Sequence, residues 1–210
     1  MSKTITITRG LATLKTLEAR IYQAISSGTY IGVSRGAAEA VVNSIKTKTQ
    51  VESDINASFQ SVNDLINERD AIKRAIVLSN AATKVIIGNV EMTVAEAIER
   101  KTSVKFEQNL LQYLMAAYST AQSQMATQAT RVDADTEKRL QTLFGADKTK
   151  VTAEQQTMVR NQVLSESEGK LIDPLKLDEK IQALRKKIED FNTEVDFVLS
   201  ESNARTEITI

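Results

Sequence analysis

The chain has 210 residues, of which 41% are hydrophobic and only 4% aromatic, and its 27 basic residues balance its 27 acidic ones. A chain of this length can bury its own core, while its neutral charge argues against a nucleic-acid-binding protein, which usually carries a basic excess. It has no Cys and no His, so disulfides, thiolate or imidazole zinc sites and Cys- or His-based catalysis are excluded. We expect no enzyme, no cofactor and no small-molecule substrate.

The N-terminal part, residues 1–92, predicts helices on a small β platform. Residues 4–8 alternate Thr and Ile with a period of two, which predicts a strand. A helix follows over about 10–26, and the β-branched residues in 29–33 predict a second short strand. The Ala-, Thr- and Lys-rich stretch 36–50 is compatible with helix or loop.

A long amphipathic helix and a tight hairpin come next. Apolar residues recur at helical spacing over 51–80. Strands near 84–87 and 90–92 flank the dipeptide Gly88-Asn89, which suits a two-residue turn between β-branched arms. The sequence therefore predicts a β-hairpin after this helix.

The longest predicted helix covers about 94–144. Thr93 with Glu96 forms a capping-box pattern at its start, and no Pro or Gly follows until Gly145. The chain must return through about 153–200, so we expect a long antiparallel helical hairpin or coiled coil with a polar tip near 145–150.

The returning segment carries a heptad seam, meaning apolar residues in strict 4-3 steps on an otherwise charged helix. Asp173 and Pro174 are interpreted as its N-cap and first helical position. Such a seam meets another helix, so we predict an interface through Leu177, Ile181, Leu184, Ile188, Phe191, Val195 and Val198.

The C-terminal residues 206–210 repeat the Thr/Ile alternation of the N-terminus. We expect both termini to share one small sheet with the hairpin, and their edges form a second predicted interface, through Ile5, Ile7, Ile208 and Ile210. The predicted fold class is mainly α with a small β platform (α+β). The predicted domain organisation is a single elongated unit, made of 1–92, a helical hairpin over 93–200 and a terminal strand over 201–210.

Two further patterns could indicate other kinds of site. Glu166 and Glu168 could form an acid–base pair, but general acid–base chemistry needs a desolvated cleft and these residues occur in hydrophilic surroundings. Tyr113 and Tyr118, together with Leu110, Leu114 and Met115, could line a lipid or cofactor site, although at helical spacing such residues are more often core.

Three further segments are Thr4-Ile5-Thr6-Ile7-Thr8-Arg9, Met92-Thr93-Val94-Ala95-Glu96-Ala97-Ile98-Glu99-Arg100-Lys101 and Asp196-Phe197-Val198-Leu199-Ser200-Glu201-Ser202-Asn203-Ala204. Together they resemble small virion-associated proteins of tailed bacteriophages. The segment Leu65-Ile66-Asn67-Glu68-Arg69-Asp70-Ala71-Ile72 and the C-terminal heptad helix are also similar to the septicolysin-like bacterial family, whose name suggests a cytolysin. The first resemblance implies a non-enzymatic building block of a phage particle.

Taken together, the sequence favours a structural component of a bacteriophage virion, in the tail, neck or baseplate region. Its expected partners are other copies of itself, as a homo-oligomer, and other virion proteins, with no nucleic acid and no membrane. The expected location is the virion, after synthesis in the host cytoplasm. The alternatives are an intracellular coiled-coil adaptor or assembly chaperone and a septicolysin-like helical cytolysin.

Overall fold

The structure is a computed structural model that describes residues 3–36, 40–145 and 151–210. These residues form five helices and three two-stranded antiparallel sheets, so the predicted mainly α fold with a small β component is confirmed. The helices are α1 (Ile7–Ser27), α2 (Lys48–Ala82), α3 (Val94–Phe144), α4 (Ala153–Ser167) and α5 (Leu177–Arg205). The strands are β1 (Thr4–Thr6), β2 (Ser34–Arg35), β3 (Ala40–Val41), β4 (Lys84–Ile87), β5 (Val90–Thr93) and β6 (Glu207–Thr209).

The chain divides into two compact units. The first unit comprises Met1–Thr102 and Asp190–Ile210, and the second comprises Ser103–Glu189. The boundaries fall inside α3 and inside α5, so each of these two helices contributes residues to both units.

The core of the first unit brings the terminal strands against α1 and α2. Its buried members are Ile5, Ile7, Leu17, Ile72, Ile76 and Ile208. The predicted strand over 4–8 is shorter than expected because the Thr6 hydroxyl accepts the backbone N–H of Arg9 at 3.3 Å and caps a helix there. Ile7 and Thr8 therefore begin α1 instead of extending the strand.

The expectation of one shared sheet is wrong. In the described part of the chain β1 pairs only with β6, β2 with β3 and β4 with β5. The hairpin is confirmed, with Ile87 opposite Val90 and left-handed φ values of +56° at Gly88 and +64° at Asn89. Positive φ at both central residues is what a type I′ turn requires. Each of these sheets therefore has two strands only.

The strand predicted over 29–33 is also wrong. Its backbone is held by single contacts: Thr29 N–H donates to the Ser58 hydroxyl at 3.2 Å, and the Val33 carbonyl accepts the Val42 N–H at 2.9 Å. A strand needs a neighbouring ladder of such bonds, and none forms at these residues. Residues 37–39, within the stretch 36–50, lie outside the described residues.

In the second unit, α4 begins at Ala153, where the predicted return segment over 153–200 starts. Thr152 and Gln155 form a reciprocal capping box at the start of α4. The predicted start of α5 is wrong: Asp173 accepts the N–H of Leu177 at 2.8 Å, and Lys176 has a left-handed φ of +53°, so the helix begins at Leu177 and Pro174 precedes it. The predicted hairpin tip at 145–150 falls, except for Gly145, outside the described residues.

Candidate assembly surfaces

The predicted heptad seam on α5 is mostly covered within a single chain. Ile181, Ile188, Phe191 and Val195 are 2–7% exposed, and Leu177, Leu184 and Val198 are half-buried. A contact of this seam with another copy would therefore use the outer edges of the three half-buried residues.

Polar contacts show how α5 lies against α3 in the second unit. Lys187 Nζ donates to Glu107 Oε1 at 2.6 Å, and Arg185 Nη2 lies 3.4 Å from the Met115 sulfur. Glu107 precedes Met115 on α3, whereas its partner Lys187 follows Arg185 on α5. The two helices therefore run antiparallel there.

α3 carries a heptad seam of its own, which the sequence reasoning missed. Nine positions in alternating steps of three and four are all buried or half-buried: Val104, Glu107, Leu111, Leu114, Tyr118, Ala121, Met125, Gln128 and Val132. Two of these positions hold polar residues, Glu107 and Gln128, so a search for apolar residues alone does not detect the pattern. Both are satisfied, since Glu107 pairs with Lys187 and Gln128 Nε2 donates to the Ser167 carbonyl at 2.7 Å.

The far end of this seam packs against α4. Val132, Val159 and Val163 form a buried cluster, and the Thr136 hydroxyl donates within α3 to the Val132 carbonyl at 2.7 Å. The apolar positions of α4 therefore form a small core with this end of α3.

In the first unit, α5 contacts α3 and also the β4–β5 turn. The Arg100 guanidinium carbon lies 4.8 Å from the centre of the Phe191 ring, a cation–π distance. Lys101 Nζ pairs with Asp196 Oδ1 at 2.5 Å. These contacts and the burial of Phe191 fix this part of the seam inside the chain.

The second predicted interface lies on the terminal strands, whose isoleucines point inward. Ile5, Ile7 and Ile208 are at most 7% exposed, and Ile210 is half-buried. Lys3 and Ile210 exchange backbone hydrogen bonds at 2.9 and 3.0 Å. Along an antiparallel pair, residues whose backbone groups bond to the partner strand alternate with residues whose backbone groups point away from it. Since Lys3 and Ile210 bond to each other, the backbone N–H and C=O groups of Thr4, Glu207 and Thr209 face the outer edges of this sheet.

The carboxylates considered for acid–base chemistry are paired and exposed. Arg139 donates to both carboxylate oxygens of Glu166, which lowers the pKa of Glu166 and raises that of Arg139. A general acid working near neutral pH needs a raised pKa, so this shift has the wrong direction. Glu168 Oε2 lies 3.6 Å from Lys170 Nζ.

Across residues 3–36, 40–145 and 151–210, no group of three acidic side chains is placed to bind a metal.

The tyrosine-containing stripe on α3 is divided between two faces. Leu114 and Tyr118 are half-buried in the α3 seam, whereas Leu110 and Tyr113 are 51% and 77% exposed. Met115 is 41% exposed, so the expectation that these residues are core is wrong for Leu110, Tyr113 and Met115.

Comparison with known proteins adds no relative. No protein-family model matches the chain, and no curated protein or solved structure matches it significantly.

None of the helices in the described segments combines the length and the apolar character that a membrane span requires.

Proposed function

We propose that this chain is a non-enzymatic structural component of a bacteriophage virion, in the tail, neck or baseplate region, which binds copies of itself and other virion proteins. The observation that supports binding to other proteins is the position of its aromatic residues. Five of the nine aromatic side chains in the sequence are more than 60% exposed, namely Tyr22, Phe59, Phe106, Tyr113 and Phe197.

Exposed aromatic rings favour a protein that other proteins cover. Aromatic side chains are enriched in the buried centres of protein interfaces and are costly to leave in water. In a chain with so few of them, a core would be expected to use most. The heptad seams of α3 and α5 are mostly covered within the chain, whereas these rings are available to partners.

The assignment to a virion rests on the sequence resemblance. The three segments that carry it, which begin at Thr4, Met92 and Asp196, all belong to the first unit. In that unit they form β1 and the start of α1, the end of β5 with the start of α3, and the last turns of α5. Because all three segments lie in one compact unit, the resemblance concerns a part of the chain that folds together.

Mass spectrometry of purified particles tests this proposal. We expect peptides of this chain in virions of the encoding phage, purified by density gradient, at a constant ratio to a known tail or capsid protein. Treatment of the particles with external protease, followed by repurification, controls for protein adsorbed from the lysate. Presence in the infected-cell lysate with absence from particles would overturn the virion role and favour the adaptor or chaperone.

A further inference from the structure

The outer α3 face is a row of six exposed residues that the chain leaves uncovered in its second unit. They follow steps of four and three along the helix: Phe106, Leu110, Tyr113, Ala117, Thr120 and Gln124. Phe106 and Tyr113 are 75% and 77% exposed, and Leu110 is 51% exposed. At 3.6 residues per turn this face lies roughly 100° around α3 from its buried seam, so a partner could cover it without displacing the seam.

This part of α3 is free of charge. No Asp, Glu, Lys or Arg occurs from Gln108 to Thr130, which is the longest uncharged run in a chain whose residues are 26% charged. An exposed helix surface normally carries charged residues opposite its buried stripe. A long exposed stretch without them is typical of a surface that another helix covers.

We propose that the outer α3 face binds the same face of a second copy of this chain, with the two helices antiparallel. This proposal rests on the proposed structural role. The outer α3 face would be the surface through which two copies assemble. A two-fold contact places a surface against itself, so a charged patch would meet its own charge. This face avoids that repulsion.

The sizes of the side chains favour the antiparallel arrangement. The first three members of the face are bulky and the last three are small or flexible. Antiparallel pairing places Phe106 beside Gln124, Leu110 beside Thr120 and Tyr113 beside Ala117 of the other copy. Parallel pairing would place the rings against each other and leave gaps at Ala117, whereas helix interfaces pack best when large residues meet small ones.

The expected strength is modest. Each of the two rings adds roughly 150 Å² of covered surface per copy, and a standard stable interface covers roughly 800 Å² per partner. The flanking small residues must supply the remainder, so we expect a dimer whose population rises with protein concentration.

Sedimentation velocity of the full chain, measured over a wide concentration range, tests the contact. We expect the wild-type chain to shift from monomer to dimer. The double variant Leu110→Lys, Tyr113→Lys places like charges across the two-fold contact and should stay monomeric. Gln122→Lys adds a Lys on an exposed position nearly opposite on α3 and should dimerise like the wild type. Circular dichroism checks that all three remain helical, and only folded variants are compared.

Cross-linking tests the orientation, because the absence of native Cys makes introduced cysteines the only thiols. A mixture of Leu110→Cys and Thr120→Cys chains should give a disulfide-linked heterodimer. Leu110→Cys alone should give none in an antiparallel pair and would cross-link in a parallel one. If the lysine variants fail to fold, this measurement decides the question by itself.

The outcomes separate this contact from the proposed function. A wild-type chain that is monomeric at every concentration overturns the contact, and so does a dimer that survives the lysine substitutions or shows no Leu110–Thr120 link. Detection of the chain in virions would still support the structural role in those cases. A dimer with the predicted cross-link, formed by a chain absent from virions, supports the contact and overturns the virion role.

Discussion

The backbone N–H of Gly88 donates a hydrogen bond to Glu194 Oε2 at 2.7 Å, which joins the β4–β5 turn to α5. The turn lies close against the helix, since a Cβ added at Gly88 would approach the Asp190 Cβ to 3.2 Å. Gly88 also has a φ of +56°, which a residue with a side chain rarely adopts. Conformation and contact therefore both favour glycine here.

We expect Gly88→Ala to destabilise the protein by about 1–2 kcal/mol, because alanine pays the left-handed backbone cost and approaches Asp190. Asn89→Gly is the matched control, since Asn89 also has a positive φ that glycine adopts freely. Chemical denaturation measures both variants. Equal stability of Gly88→Ala and wild type would contradict the close packing of this turn.

Ile188→Ala should lower the free energy of unfolding by about 2–5 kcal/mol, because the residue is 7% exposed and its removal leaves a cavity. Since the seam is covered within one chain, we expect the loss to be independent of protein concentration. Gln182→Ala, at an exposed position of the same helix, should change stability by less than about 0.5 kcal/mol. A loss that disappears on dilution would instead place Ile188 between copies.

Acidification should remove the contribution of Glu96 to the start of α3. The N–H and hydroxyl of Thr93 donate to its carboxylate at 2.6 and 2.9 Å and lower the pKa of Glu96 in the folded chain. A lowered folded pKa gives a contribution that is complete above the unfolded value and is lost as the pH falls through the folded value.

The stability advantage of wild type over Glu96→Gln should therefore shrink as thermal unfolding is followed from neutral pH down through the range in which Glu96 titrates. In a Thr93→Ala background, which removes the hydroxyl donor, the pH-dependent difference should be smaller. A difference that stays constant with pH would contradict this account of the cap.

Arg139→Gln should raise the pKa of Glu166 toward its ordinary value, because the guanidinium that stabilises the carboxylate is removed. Carbon-detected NMR titration follows the Glu166 carboxyl directly. Arg160→Gln is a suitable control in the same unit, since Arg160 pairs with Asp133 at 3.2 Å instead. An unchanged Glu166 midpoint in Arg139→Gln would show that the pair does not form in solution.

Local chemistry explains why much of the fold could be predicted from the sequence. The hairpin around Gly88, the capping box of Thr93 with Glu96 and the extent of α3 follow from residues within a few positions of one another. The errors have a different origin. The start of α5 depends on the left-handed Lys176, and the separation of the three sheets depends on pairing between distant strands, which alternation alone does not specify.

The surfaces were harder to predict than the elements. Periodicity identified the α5 seam but not whether it is covered by its own chain, because a heptad pattern is the same in both cases. The α3 seam was missed because Glu107 and Gln128 occupy two of its positions. The exposure of Tyr113 depends on which face of α3 the rest of the chain covers, and this requires the packed structure.

The pairing of β1 with β6 has a consequence for how the protein folds. Ile5 and Ile208 are opposite each other in this sheet although they are more than 200 positions apart along the chain. Closing so long a loop carries a large entropic cost and is expected late in folding. In a ribosome-bound chain, Ile72 and Ile76 would therefore pack against α1 but lack the packing of Ile208 until β6 emerges.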